Sequence, residues 1–217
     1  LLSPAEFVPI AEKFFIASRI DIWVVKNVLR WMAENSDHLQ DLTKISINLS
    51  GVSIGDAKFR EKLLQILNAS SVRCEKLCFE VTETAVIANI EDCIPFLNAL
   101  RQKGASISLD DFGSGLSSFA YLKTLPADEL KIDGKFIQNI LRDQVDRVSA
   151  RYMAELAKAN GMKTVAEWVD SPEVVELLRD FGIHFVQGYL FHKPEPLHGL
   201  MAAIRAKRSI LQDAVAH

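Results

Sequence analysis

Cysteine is scarce in this 217-residue chain. The three present, Cys74, Cys78 and Cys93, are too few and wrongly spaced for a disulfide framework or a zinc knuckle, so they are expected as buried thiols in a reducing cytoplasm. No apolar run approaches the roughly 18 residues that a membrane span needs, and Leu1–Phe15 lacks the basic start and uninterrupted apolar centre of a signal peptide. Charge of one sign is also missing. A formal net charge of −3 gives no general field for DNA or RNA, so neither is an expected partner, and a phosphate ligand would have to be held locally by metal ions. The five histidines show no metal-ligand spacing: His38, His198 and His217 read as exposed, while His184 and His192 flank the last strand.

What the chain does have is apolar mass. At 49% hydrophobic and 24% charged residues, residues 1–217 can bury a full core as a single domain. Six stretches read as buried strands: Lys44–Ser50, Lys76–Glu83, Ser106–Phe112, Asp128–Asp133, Lys163–Val169 and His184–Leu190. Helical spacing fills the gaps, around Phe59, Leu63 and Leu67, around Ile94, Leu97 and Leu100, and around Val148, Tyr152, Leu156 and Ala157. Ser171-Pro172 opens a further helix, Gly161 and Gly182 stand where C-terminal caps belong, and Leu197–Val215 reads as a closing helix. Strands alternating with helices imply a parallel sheet, and near-continuous apolar strands imply cover on both faces.

The count is two strands short. Residues 4–15 and 20–34 read as helices, so only six βα units follow, whereas a closed (β/α)₈ barrel needs eight strands. The expected fold is therefore α/β, a TIM-like barrel whose two N-terminal strands are not in this sequence.

Each strand delivers a polar residue at or just beyond its C-terminal end: Asn48, Glu80, Asp110 with Asp111, Lys131, Glu167 and Gln187. That is how a barrel assembles a site. Consecutive aspartates reach one site only if the strand is ending, which Phe112-Gly113-Ser114-Gly115 suggests; a turn rich in Asp caps is the bland alternative. Glu80 lies in an apolar strand, where a carboxylate is costly without a compensating cation. With Asn48 and Glu167 it makes an all-oxygen set suited to Mg²⁺ or Mn²⁺, and the aspartate pair suggests two ions. Lys131 reads as a positive group beside the attacking water or a phosphate oxygen, with an ion pair to Asp133 or Asp128 as the alternative. Gln187, before Gly188, offers an amide to the site. Glu83, past the strand end, reads as an acceptor for the Gly113–Ser118 loop rather than a metal ligand, with a solvated turn residue as the alternative.

These motifs, EVTE at 80–83, DDFGSG at 110–115, LKID at 130–133, AEWVD at 166–170 and QGYLF at 187–191, with NLS at 48–50 and PAEFVPIAE at 4–12, resemble the signature series of EAL domains. These are bacterial cyclic di-GMP phosphodiesterases, and the likeness covers essentially the whole chain. It implies hydrolysis of cyclic di-GMP to linear pGpG. Asn48, Glu80 and Asp110 would hold one metal and Asp110, Asp111 and Glu167 the second; Lys131 would assist the water, Gln187 would order the water or phosphate network, and Glu83 would brace the loop. It also implies a homodimer and a fused sensory or GGDEF-type domain. The family's Glu-Ala-Leu, whose Glu is a metal ligand, would lie ahead of Pro4. The family's Ala-Glu-Gly-Val-Glu is here Ala166-Glu167-Trp168-Val169-Asp170, with Trp168 expected to turn outward into the helix layer, and Leu116 replaces the loop's usual tyrosine. Two other functions stay open: a catalytically impaired cyclic di-GMP receptor, and another Mg²⁺-dependent barrel enzyme.

Overall fold

The computed structural model describes residues 4–113 and 119–197. Helices α1 (Pro4–Lys13) and α2 (Ala17–Glu34) lead into an alternation of strands and helices. The strands are β1 (Ile45–Leu49), β2 (Leu77–Thr82), β3 (Ser106–Phe112), β4 (Glu129–Ile132), β5 (Lys163–Ala166) and β6 (Phe185–Val186). Among them lie α3 (Gly51–Gly55), α4 (Ala57–Ala69), α5 (Glu83–Ala88), α6 (Ile90–Gln102), α7 (Gln144–Ala159) and α8 (Pro172–Asp180). The closing helix expected beyond Leu197, loop residues 114–118 with Leu116, His198, His217 and the side chain of His38 lie outside the described residues.

All six strands run parallel and pair in chain order, as right-handed helical crossovers dictate. The sheet is curled. Lys44, next to β1 at one edge, ion-pairs with Glu129 on β4 and sets its ammonium 5.5 Å from the ring centroid of Phe185 on β6, the opposite edge. Strands first and sixth in order can meet through one side chain only if the sheet closes on itself, so this is a half-barrel of the TIM-like α/β class.

Alternation along each strand divides the residues. Ile47, Leu49, Phe79, Val81, Ile107, Leu109, Leu130 and Ile132 are buried in the apolar core with the helices, and the residues between them are polar. Register aligns Asn48 with Glu80 and Glu80 with Ser108, which places one row of polar side chains across neighbouring strands.

Helix α7 corrects the sequence reading. Its buried residues are Ala150, Met153, Ala154 and Ala157, whereas Val148 and Tyr152 are exposed. Three alanines let the helix axis approach the sheet closely, and the bulkier side chains are left on the outer face. Local signals behave as their chemistry dictates. The Ser171 hydroxyl accepts from the Val174 N–H at the start of α8, and Asp143 accepts from Val145 and Asp146 at the start of α7. Asp21 had no sequence signal. It is buried on α2 and accepts from the Ser50 N–H (2.9 Å) and the Ser53 hydroxyl (2.5 Å), tying α2 to the turn after β1. Burial raises its pKa against those hydrogen bonds. Among the described residues, no helix is long and apolar enough to cross a membrane.

Candidate active site

The C-terminal ends of the strands carry the cluster. Lys131 on β4 sets its ammonium 2.8 Å from Glu80 on β2, 2.8 Å from Asp110 on β3 and 2.6 Å from Glu167 just past β5. Both Glu80 and Lys131 are buried, so the cation that Glu80 requires comes from the chain itself. The alternative pairings of Lys131 do not form: Asp133 pairs with Lys135, and Asp128 with Arg101. Burial opposes the charge on Lys131, yet Glu80, Asp110 and Glu167 outweigh it and hold its pKa above the ordinary lysine value.

The two aspartates converge close to the end of β3, which has the expected bounds, and they do so through a bulge. β3 continues through Phe112, and its pairing with β4 runs Leu109 to Leu130 and then Phe112 to Ile132. Two residues, Asp110 and Asp111, therefore face Lys131 alone, which is a β-bulge. Asp111 takes a φ of 53°, a left-handed conformation that Asp tolerates better than most residues. Its N–H donates to the Asp110 carboxylate at 3.0 Å. Pleat alternation is thereby cancelled, and oxygens of Asp110, Asp111 and Glu167 lie within 4.8 Å of one another.

Three carboxylates thus contact one ammonium, and a fourth, Asp111, lies beside two of them. Two of the four, Glu167 and Asp111, are raised, chiefly by burial. Burial, with Asp110 and Asp111 adding to it and Lys131 opposing, pushes Glu167 up to about 7. Burial together with Asp110 and Asp133 also raises Asp111. A carboxylate-rich site whose donors are all oxygens has the ligand chemistry that a hard divalent cation fits.

Asn48 is next to Glu80 in register and exposed. The Gln187 amide donates to Glu167 at 2.9 Å. Its backbone is fixed by N–H donation to Ala166 and by accepting from the Val169 N–H. Gly188 permits this: a Cβ there would stand 2.1 Å from the Val169 carbonyl oxygen. Glu83 is buried away from the cluster, where it accepts from the Gly113 N–H (3.0 Å) and the Tyr121 hydroxyl (2.8 Å). Tyr121 escaped the sequence reading, because only the fold brings it opposite Glu83. Burial and that hydrogen bond raise its pKa, so it remains a neutral donor.

Trp168 corrects another expectation. Its φ of 55° breaks the alternation that would have sent it into the helix layer. The ring instead lies over Gly134, half exposed, at the rim of a cavity that Gln187 and Tyr189 also line. Of the two remaining histidines, His184 sits 3.0 Å from the Thr164 hydroxyl and His192 pairs with Glu195, both outside the cluster.

Comparison with known proteins agrees with this geometry. The family model described as "EAL domain" matches residues 1–194. The chain is similar to the cyclic di-GMP phosphodiesterase PdeF of Escherichia coli, at 39% identity over 91% of this chain and 26% of that protein. It is also similar to the cyclic di-GMP phosphodiesterase PdeB of Shewanella oneidensis, at 38% identity over 91% of this chain and 23% of that protein. It therefore spans about a quarter of the length of these curated relatives. Among solved structures, the PaMucR phosphodiesterase in complex with c-di-GMP superposes with a TM-score of 0.86 at 33% identity, covering 92% of this chain and 81% of that one. The Pseudomonas aeruginosa FimX EAL domain bound to c-di-GMP gives 0.79 at 26% identity, over 89% and 77%. With one ordered motif series, one half-barrel and one family match over nearly its whole length, the chain belongs to the EAL domain family.

Proposed function

We propose that this domain hydrolyses cyclic di-GMP to linear pGpG. The observation that carries the reading is the Lys131 ammonium at 2.6–2.8 Å from Glu80, Asp110 and Glu167, with Asp111 swung into the same space by the bulge. Water attacks one bridging phosphorus, the P–O3′ ester bond breaks, and the product carries a 5′-phosphate and a free 3′-hydroxyl.

Asn48, Glu80, Asp110, Asp111 and Glu167 would hold Mg²⁺ or Mn²⁺, two ions in this reading. Bound there, the metal supplies charge for the phosphate and a more acidic water. The chain's own groups do the rest. Lys131 stays protonated, so it acts as a fixed positive charge toward the phosphate rather than as a base. Glu167 and Asp111, whose oxygens lie within 4.8 Å of each other and of Asp110, would hold and orient the attacking water beside the phosphate. Gln187 orients Glu167 and orders the water or phosphate network. Glu83 holds the start of the 113–118 loop.

The proposal extends to a single EAL barrel domain over residues 1–217, working in the cytoplasm. By likeness to relatives about four times longer, it works as a homodimer with a fused sensory or GGDEF-type domain. Chromatography of cyclic di-GMP incubated with the full-length protein and Mg²⁺ or Mn²⁺, paired with calorimetric titration, is the test. Conversion to pGpG is expected. Tight binding without conversion would make the protein a receptor, and neither would return the site to another metal-dependent barrel chemistry.

A further inference from the structure

Trp168 occupies a position that stability alone disfavours. Its φ of 55° lies where a bulky side chain crowds its own backbone, and the residue stays 55% exposed. The ring is nonetheless seated. It lies against Gly134, where a Cβ would meet ring carbons at 2.3 and 2.4 Å, so only glycine leaves the indole this place. Trp168 and Tyr189 both line a cavity of about 690 Å³. Lys193 stands 5.7 Å from the Tyr189 ring centroid. Gln187 lines the same cavity and donates to Glu167, so one side chain joins this space to the carboxylate cluster.

We propose that Trp168 is a stacking platform for one purine base of the nucleotide substrate, a positioning role that rests on the phosphodiesterase reading above. An open indole face beside a phosphate-handling cluster suits a purine, because stacking removes both rings from water and aligns the base without demanding a particular hydrogen-bond pattern. The strain at φ 55° is consistent with a residue held for a ligand rather than for the fold. Gly134 and Trp168 act as a pair: one supplies the seat, the other the platform.

Steady-state kinetics of the full-length protein on cyclic di-GMP test this. Trp168→Ala is expected to raise KM about tenfold or more while leaving kcat within about twofold. Trp168→Phe is expected to recover most of the loss. Gly134→Ala, which pushes the ring off its seat without removing it, is expected to raise KM in the same direction. Titration with cyclic di-GMP in the Asp111→Asn background is expected to quench tryptophan fluorescence, and Trp168→Phe to abolish that quenching. Unchanged KM in both Trp168→Ala and Gly134→Ala, with quenching intact in Trp168→Phe, would overturn the platform and leave the phosphodiesterase reading standing. A loss confined to kcat would also overturn it, making Trp168 a support for Glu167. Failure of the unmodified protein to bind or hydrolyse cyclic di-GMP would overturn both.

Discussion

The ammonium of Lys131 lies 2.6 Å from Glu167 Oε1, with the two side chains 5% and 9% exposed. Two more carboxylates, Glu80 and Asp110, share the same nitrogen. Removing that nitrogen strands three acids at once. Lys131→Met is expected to lower stability by about 3–5 kcal/mol, the cost of breaking a buried pair, and to reduce turnover by about 10²–10³-fold. Chemical denaturation and a turnover assay on one preparation separate the effects. Unchanged stability would mean the carboxylates do not depend on Lys131.

Asp111 reaches the cluster only through the bulge, and it contributes nothing to the buried ladder of apolar residues. Asp111→Asn keeps the size and the left-handed tolerance, so the fold is expected to survive with turnover abolished. Full activity in this variant would sink the two-metal assignment.

The raised Glu167 predicts a pH dependence. A carboxyl at about 7 when folded, against 4.5 as its ordinary value, binds its proton more tightly in the folded state. Its contribution to stability is therefore complete below 4.5 and is lost as pH rises through about 7. The metal-free protein is expected to lose melting temperature across that window, and added Mg²⁺ to offset the loss. A metal-free melting temperature that climbs through the same window would contradict the burial of charge described at Glu167.

Glu83 joins the loop to the sheet. Glu83→Ala leaves the Gly113 N–H and the Tyr121 hydroxyl without their acceptor and is expected to cost about 1–3 kcal/mol, while Tyr121→Phe, which removes one hydrogen bond, costs about 1 kcal/mol. Gly113→Ala is expected to be at least as damaging. Its φ is 91°, and a Cβ there would stand 2.5 Å from Met153 Cε and 2.9 Å from the Phe136 ring. Thermal unfolding of the three variants ranks them. An Ala at 113 that melts with the parent protein would show that the turn is not held by this packing.

The class of fold, and the set of polar residues carried at the strand ends, could be read from the chain alone. Alternating strands and helices admit few arrangements other than a parallel sheet with right-handed crossovers, and polar residues at successive strand ends must then share one face. Glu80, Asp110, Asp111, Lys131, Glu167 and Gln187, which the fold brings together, were legible on those grounds, Asn48 stays at the exposed end of the row, and Glu83 was legible as a loop partner. How they meet depends on packing between distant elements. The bulge at Asp111, the left-handed turn of Trp168 over Gly134, the alanine-faced packing of α7, and the capture of Tyr121 and Ser53 by distant carboxylates depend on register and packing between elements far apart in the chain. Local periodicity carries no record of those contacts, because backbone conformations such as φ of 53° at Asp111 and 55° at Trp168 are imposed by the surrounding fold against the residues' own preference.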